Sequence, residues 1–155
     1  MDINLRQRQE KDNQFVYDLF FSHKVKELNA ETWPDNMKHQ MCLMQFNAFE
    51  KSLTSKGPDI RDLIITGNTK SVGRLILNES KDSILIQYIG IMPDFQKKGI
   101  GKKVLQLIIK DVVNTKKRLT LTVSNTNPAY YLYRKLGFVV TNKDELNYSM
   151  TYNPL

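Results

Sequence analysis

The spacing of apolar residues changes several times along this chain, and each change predicts an element. From Ile84 to Ile91 the chain is largely apolar, with Ile and Leu prominent, which predicts a buried strand. Beyond a polar, lysine-rich interruption, Ile100, Val104, Leu105, Ile108, Ile109, Val112 and Val113 recur at three- and four-residue intervals, which predicts an amphipathic helix ending near residue 114. Upstream, Ile3 to Arg6 fits a first strand. Phe15, Val16, Leu19 and Phe20 mark a helix from Asp12 to about Leu28, and Pro34 opens a second carrying Met37, Met41, Met44, Phe46, Ala48 and Phe49. Residues 59–66, 71–78 and 83–91 form an antiparallel meander, broken at Gly67-Asn68 and at the polar run 79–82. A strand at 119–123, a short helix at 129–136 and a hairpin of 138–141 with 146–151 complete the order. The crossover through the long helix makes the strands at 83–91 and 119–123 parallel. The expected fold is α+β, a mixed, mostly antiparallel sheet flanked by helices on both faces. No repeat, low-complexity tract or Gly/Ser linker interrupts it, so residues 1–155 are expected to form a single domain.

The interruption, Gln96-Lys97-Lys98-Gly99-Ile100-Gly101-Lys102-Lys103, joins that strand to that helix. Glycines let a backbone approach a ligand closely, and the free N–H groups of a first helical turn attract anions. Lysines add full charges, so the loop is a candidate anion cradle. Two common phosphate loops do not fit. A P-loop needs G-x-x-x-x-G-K-[ST], and the dinucleotide fingerprint needs a glycine where Val104 stands.

The loop does match [QR]-x-x-G-x-[GA], and Ile91-Met92-Pro93-Asp94-Phe95 extends it to I-x-P-x-x-Q-x-x-G-x-G. Downstream, Asn127-Pro128-Ala129-Tyr130-Tyr131-Leu132-Tyr133-Arg134-Lys135-Leu136-Gly137-Phe138 has the form N-P-A-x-x-L-Y-x-x-L-G-F. Read physically, Asn127 is an N-cap, Pro128 suits a first helical position and Gly137 a left-handed terminator. Leu132 and Leu136 share a face, with Tyr133 beside them. Together the two segments resemble the Gcn5-related N-acetyltransferase family, whose acyl-CoA N-acyltransferase fold has this order of elements and splayed central strands. Gln45-Phe46, Gly73-Arg74-Leu75 and the Asn-Pro-Ala form are similar to a small bacterial subgroup of that family. In that subgroup an aspartate stands where this chain has Tyr88.

The resemblance implies acetyl transfer from acetyl-CoA to a primary amine of a small molecule or peptide, by direct attack in a ternary complex, with no metal. By the same resemblance, the main chain of Ile89, Gly90 and Ile91 pairs with the pantetheine arm and supplies a donor to the thioester carbonyl. Gln96, Lys97, Lys98, Gly99, Ile100, Gly101 and Lys102 hold the diphosphate. Tyr133 protonates the leaving thiolate, and Asn127 contacts the cofactor or simply caps its helix. Positioning of two reactants carries much of the rate in such a reaction.

Composition narrows the alternatives. A net charge of +7 calls for an anionic partner. The lysines at 97–103 suit the phosphates of coenzyme A, to which part of the cluster at 116–118 can add. The basic residues are otherwise dispersed, so no nucleic acid is expected. No apolar run is long enough for a membrane span. The single cysteine, Cys42, suits a reducing cytoplasm and a buried helical position, and neither His23 nor His39 pairs with it as a base. The methionines fit a core face or an adaptable pocket, the core face being expected. Trp33, Phe46 and Phe49 fit either an acceptor pocket or the core. No carboxylate lies in 84–91 or 119–123; Glu27, Glu31 and Asp18 are expected to be solvated, and no base is assigned. The missing base leaves an acyl-CoA-binding sensor without turnover as the alternative, and oligomeric state open between monomer and homodimer.

Overall fold

The computed structural model describes residues 1–154. Among these, strands β1 (Ile3–Gln7), β2 (Ile60–Gly67), β3 (Lys70–Glu79), β4 (Ser83–Ile91), β5 (Arg118–Ser124), β6 (Val139–Lys143) and β7 (Asn147–Tyr152) form one open sheet in the order β1-β2-β3-β4-β5-β7-β6. The β4–β5 pair is parallel and the others antiparallel. Helices α1 (Asn13–Glu27), α2 (Asp35–Ser55), α3 (Ile100–Thr115) and α4 (Ala129–Leu136) cover it. This is the expected mixed, mostly antiparallel architecture. The final hairpin inserts its second strand, β7, beside β5 and leaves β6 at the edge.

Alternation along the strands assigns the two faces. Leu63 and Ile65 of β2 point into the core built with Ile100, Val104, Leu105, Ile108 and Val112 of α3, whereas Ile64 between them packs with Val16 of α1 and Phe46 of α2. Burying each of those α3 aliphatics contributes about 1.5–3 kcal/mol. Val113, expected on that stripe, lies at its rim and is exposed.

The second helix departs from expectation. Its buried residues are Cys42, Phe46 and Leu53, while Met37 is 52% and Met44 68% exposed. Met37 and Met44 therefore look outward, because the aromatic and thiol positions fill the space against α1, whereas Met41 is partly buried and packs against Val25, Ala30 and Cys42 as expected of a core position. Trp33 is also exposed at 36%.

A partly buried ion pair joins β1 to the start of α1. Asp12 accepts from both terminal nitrogens of Arg6 at 2.8 Å and from the Gln9 amide at 2.8 Å. The Arg6 bonds, chief among several causes, lower the Asp12 carboxyl from its ordinary 3.8 to about 2. A lowered native pKa contributes stability above the unfolded value and loses it as pH falls through the native one. Asp12→Asn should therefore cost about 1–2 kcal/mol near neutrality, discounted because Arg6 is partly exposed. In urea melts the deficit should shrink between pH 4 and pH 2. A deficit constant over that window would contradict the assignment.

Candidate active site

Strands β4 and β5 touch only at Ser83↔Arg118, Ile84↔Leu119 and Leu85↔Thr120, although β4 runs on to Ile91 and β5 to Ser124. Beyond Leu85 they diverge and leave a wedge in the middle of the sheet. A bulge helps open it: Tyr88 pairs with Ile76 and Ile86 with Leu77, so Gln87 is an extra residue opposite β3.

Main-chain polarity in the wedge follows from the ladder. The Met92 amide donates to the Val72 carbonyl at 2.8 Å, and Ile91 stands opposite Gly73. Because hydrogen-bonded and non-hydrogen-bonded pairs alternate, Ile89 and Ile91 turn their N–H and C=O groups into the wedge, while those of Tyr88 and Gly90 face β3. The Ile91 carbonyl is already taken, by His23 Nε2 at 2.8 Å and Gln96 Nε2 at 3.0 Å. The Ile89 N–H, the Ile89 C=O and the Ile91 N–H have no partner among the described residues.

At the mouth of the wedge the chain passes through a 3-10 turn, Pro93–Phe95, and then through two left-handed residues, Lys97 (φ 61°) and Gly99 (φ 79°), into α3. The first backbone bond inside the helix is Lys103 N–H to Gly99 C=O, and no side chain caps the start. The N–H groups of Ile100, Gly101 and Lys102 are therefore free at the positive end of a helix whose stripe is anchored in the core. Lys97, Lys98 and Lys102 are exposed around them, whereas Lys103 Nζ donates to the Met1 carbonyl at 3.2 Å.

The second basic cluster lies elsewhere than expected. Lys117 is bound to Glu79 at 2.7 Å, and Arg118 pairs with Ser83 at the far end of β4, about 26 Å of strand from Ile91. The 116–118 cluster therefore adds nothing to the cradle. Lys70 does approach it: Lys70 and Lys98 both lie over the Phe95 ring, at 5.5 and 5.6 Å. The β2–β3 turn delivers Lys70, a tertiary consequence with no local signal beyond the Gly67-Asn68 turn.

Helix α4 contacts β5. Its Tyr133 is only 8% exposed and packs edge-on against Phe138, ring centroids 5.6 Å apart. Leu132 and Leu136, expected as the buried face, are partly buried beside it. Burial raises the Tyr133 phenol, and its hydroxyl makes no hydrogen bond to a described residue. The phenol is thus a protonated, uncommitted donor. Gly137 ends the helix at φ 108°, with Phe138 N–H bonding Tyr133 C=O and Gly137 N–H bonding Arg134 C=O, a Schellman motif. Asn127 Oδ1 accepts from Ala129 N–H at 2.9 Å, so the cap forms and its amide NH2 remains free to donate elsewhere.

The wall on the α1–α2 side is aromatic and charge-neutralised. Arg74, 2% exposed, donates to Asp62 at 2.7 and 2.9 Å and to Glu50 at 2.9 Å, and Arg8 bridges the same two carboxylates. Burial disfavours the Arg74 charge, but these partners outweigh it and raise its pKa. Phe49 lies between Arg74 (5.9 Å) and Tyr88 (5.8 Å). Tyr88 folds back over Gly90, where a Cβ would collide with its hydroxyl. Burial pushes the Tyr88 phenol up to about 12 against the opposing pull of Arg74. It stays neutral at physiological pH and is no ready base. Glu27 pairs with Lys24 at 3.2 Å, and Asp18 accepts from Gln14 at 2.8 Å. Cys42 is buried, which raises its thiol, as expected of a core residue. Among the described residues, no cluster of His, Cys, Asp or Glu could hold a metal ion, and no helix is long and apolar enough to cross a membrane.

These features have relatives. The Thermoplasma acidophilum PaiA N-acetyltransferase, solved with coenzyme A, superposes with a TM-score of 0.73 at 18% identity, covering 99% of both chains. The Escherichia coli ribosomal-protein-S18-alanine N-acetyltransferase gives 0.68 at 21% identity, over 98% of this chain and 94% of that one. An Elizabethkingia anophelis GNAT family acetyltransferase with acetyl-CoA bound gives 0.65 at 17%, over 97% of each. Among curated proteins, none matches the sequence significantly. At these identities the structures establish the fold alone. The acetyltransferase (GNAT) domain model matches residues 62–140, just over half of the chain, from β2 through the wedge and cradle to β6. The chain belongs to the GNAT acetyltransferases, enzymes that take their acetyl group from acetyl-CoA.

Proposed function

We propose that this chain moves an acetyl group from acetyl-CoA to a primary amine, of a small molecule or a peptide, by direct attack in a ternary complex, with Tyr133 as proton donor. The observation that carries this reading is the wedge, flanked by three kinds of uncommitted group: the β4 edge at Ile89 and Ile91, the α3 amides, and the Tyr133 phenol. The residues fit the cosubstrate chemically. Amides of a pantetheine arm match the alternating N–H and C=O of a strand edge, and a diphosphate matches free helix amides flanked by Lys97, Lys98 and Lys102. Acetyl-CoA would supply an activated thioester there.

In this reading the Ile89 N–H steadies the negative charge that gathers on the acyl oxygen as nitrogen attacks. Asn127 holds the arm through its free NH2. Tyr133 gives its proton to the departing thiolate, whose pKa is near ~8.5 if it resembles free cysteine. The attacking nitrogen arrives from the α1–α2 side, where Tyr88, Phe49 and Phe20 are half-buried. On that side Asp18 and Glu27 are paired and Glu31 is exposed to solvent, so no side chain is assigned as the base. A peptide acceptor has a precedent in the fold, since the E. coli neighbour is named for an alanine of a ribosomal protein.

Release of free thiol over a panel of amines tests this. Tyr133→Phe should lower kcat roughly 10²-fold, the low end for general acid catalysis, and leave acetyl-CoA affinity within twofold. Unchanged turnover would remove the donor role. The same wall of neutralised charges favours one other reading, an acyl-CoA-binding sensor without turnover; tight acetyl-CoA binding with no thiol release across the panel would establish it.

A further inference from the structure

Of the four main-chain groups that β4 turns into the wedge, the protein itself occupies one. His23 reaches across from α1, and Gln96 from the first position of the phosphate loop, and both meet the Ile91 carbonyl oxygen. A carbonyl can only accept, so His23 must carry its proton on Nε2. The two nitrogens lie 3.3 Å apart, side by side on one oxygen, and fill both of its lone pairs. His23 is half-buried, and its bond spans 68 residues of sequence.

Three pieces of chain meet at that oxygen: the last residue of the strand edge, the entry to the anion cradle, and the helix on the acceptor side. The joint sits between the two halves of the cosubstrate site. We propose that His23 and Gln96 are positioning residues, a clamp that fixes the diphosphate cradle at a set distance and angle from the β4 edge. A ligand spanning both halves then binds without first ordering the joint. The inference rests on the cofactor placement proposed above. Neither side chain is asked to touch the reacting atoms.

Two donors on one acceptor predict a specific pattern. Either donor alone keeps the carbonyl satisfied, so His23→Leu and Gln96→Leu should each raise the acetyl-CoA Kd by no more than about threefold. The double variant frees the joint and should raise it at least about tenfold, more than the product of the singles. ADP, a probe for the cradle alone, should bind the double variant within twofold of wild type, because it does not span the joint and the Gln96 side chain is committed to the Ile91 carbonyl rather than to the free amides of Ile100 to Lys102. His23→Gln in the Gln96→Leu background returns a donor and should restore acetyl-CoA binding. Thermal melts of each variant confirm folding.

Acetyl-CoA binding unaffected in the double variant would overturn the clamp and leave the acetyltransferase reading intact. Equal weakening of ADP and acetyl-CoA would overturn it too, since the residues would then merely hold the cradle together. Wild-type protein that binds no acetyl-CoA would overturn the cofactor placement, and the clamp with it.

Discussion

Replacing Gly99 with valine should abolish measurable acetyl-CoA binding while the protein still folds. Gly99 has φ 79°, and a Cβ there would meet nothing within 4 Å. Crowding is therefore not the obstacle; the backbone angle is. The left-handed region costs an L-residue about 1–2 kcal/mol, and a β-branched side chain more. The chain relieves that strain by rotating the turn, which re-aims the amides of Ile100, Gly101 and Lys102. A hydrogen bond to a charged group contributes about 1.5–3 kcal/mol, so losing two weakens binding on the order of a hundredfold or more. Gly101 is the internal control. It has no positive φ and open space around its Cβ position, so Gly101→Ala should bind acetyl-CoA nearly as well as wild type. Calorimetry on the pair checks both, and equal affinities for Gly99→Val and wild type would show that the diphosphate is held elsewhere.

Arg74→Leu should be the most destabilising single change, by about 3–5 kcal/mol, because it strands partners of a buried cation. Asp62 and Glu50 would be left with Arg8 alone, and the network that joins β2 and β3 to α2 would carry an uncompensated negative charge. A shift of about 2–4 °C per kcal/mol puts the fall in Tm near ~10 °C for a chain of this size. Activity should drop further than stability explains, since Arg74 backs Phe49 and Phe49 backs Tyr88. Arg74→Lys should recover only part of the loss, because an ammonium cannot make the forked bonds to two carboxylates. A Tm within 2 °C of wild type would show that the network is worth little.

The parts of the site made by local chemistry are legible in the sequence. Gly99 and the α3 stripe announce a strand-to-helix turn with free amides. Asn127-Pro128 and Gly137 bracket α4 by capping rules that need no tertiary context. Other parts depend on residues far apart along the chain. The wedge needs the bulge at Gln87, which carries no glycine or proline to betray it. His23 has no motif, and its role exists only because α1 crosses the end of β4. Arg74 inside an apolar strand is unreadable until Glu50 and Asp62 are seen around it. Of the α2 methionines that read as core by their spacing, Met41 packs inward but Met37 and Met44 face outward, for a related reason: Met suits a buried or an exposed face, and Cys42 and Phe46 occupy most of the inward one.

A structure of the protein with coenzyme A tests the central claim most directly. The account predicts the diphosphate on the amides of Ile100–Lys102, the arm paired with Ile89, and the sulfur within hydrogen-bond reach of Tyr133 Oη. A diphosphate bound away from the start of α3, or a sulfur on the far side of β4 from that hydroxyl, would contradict it.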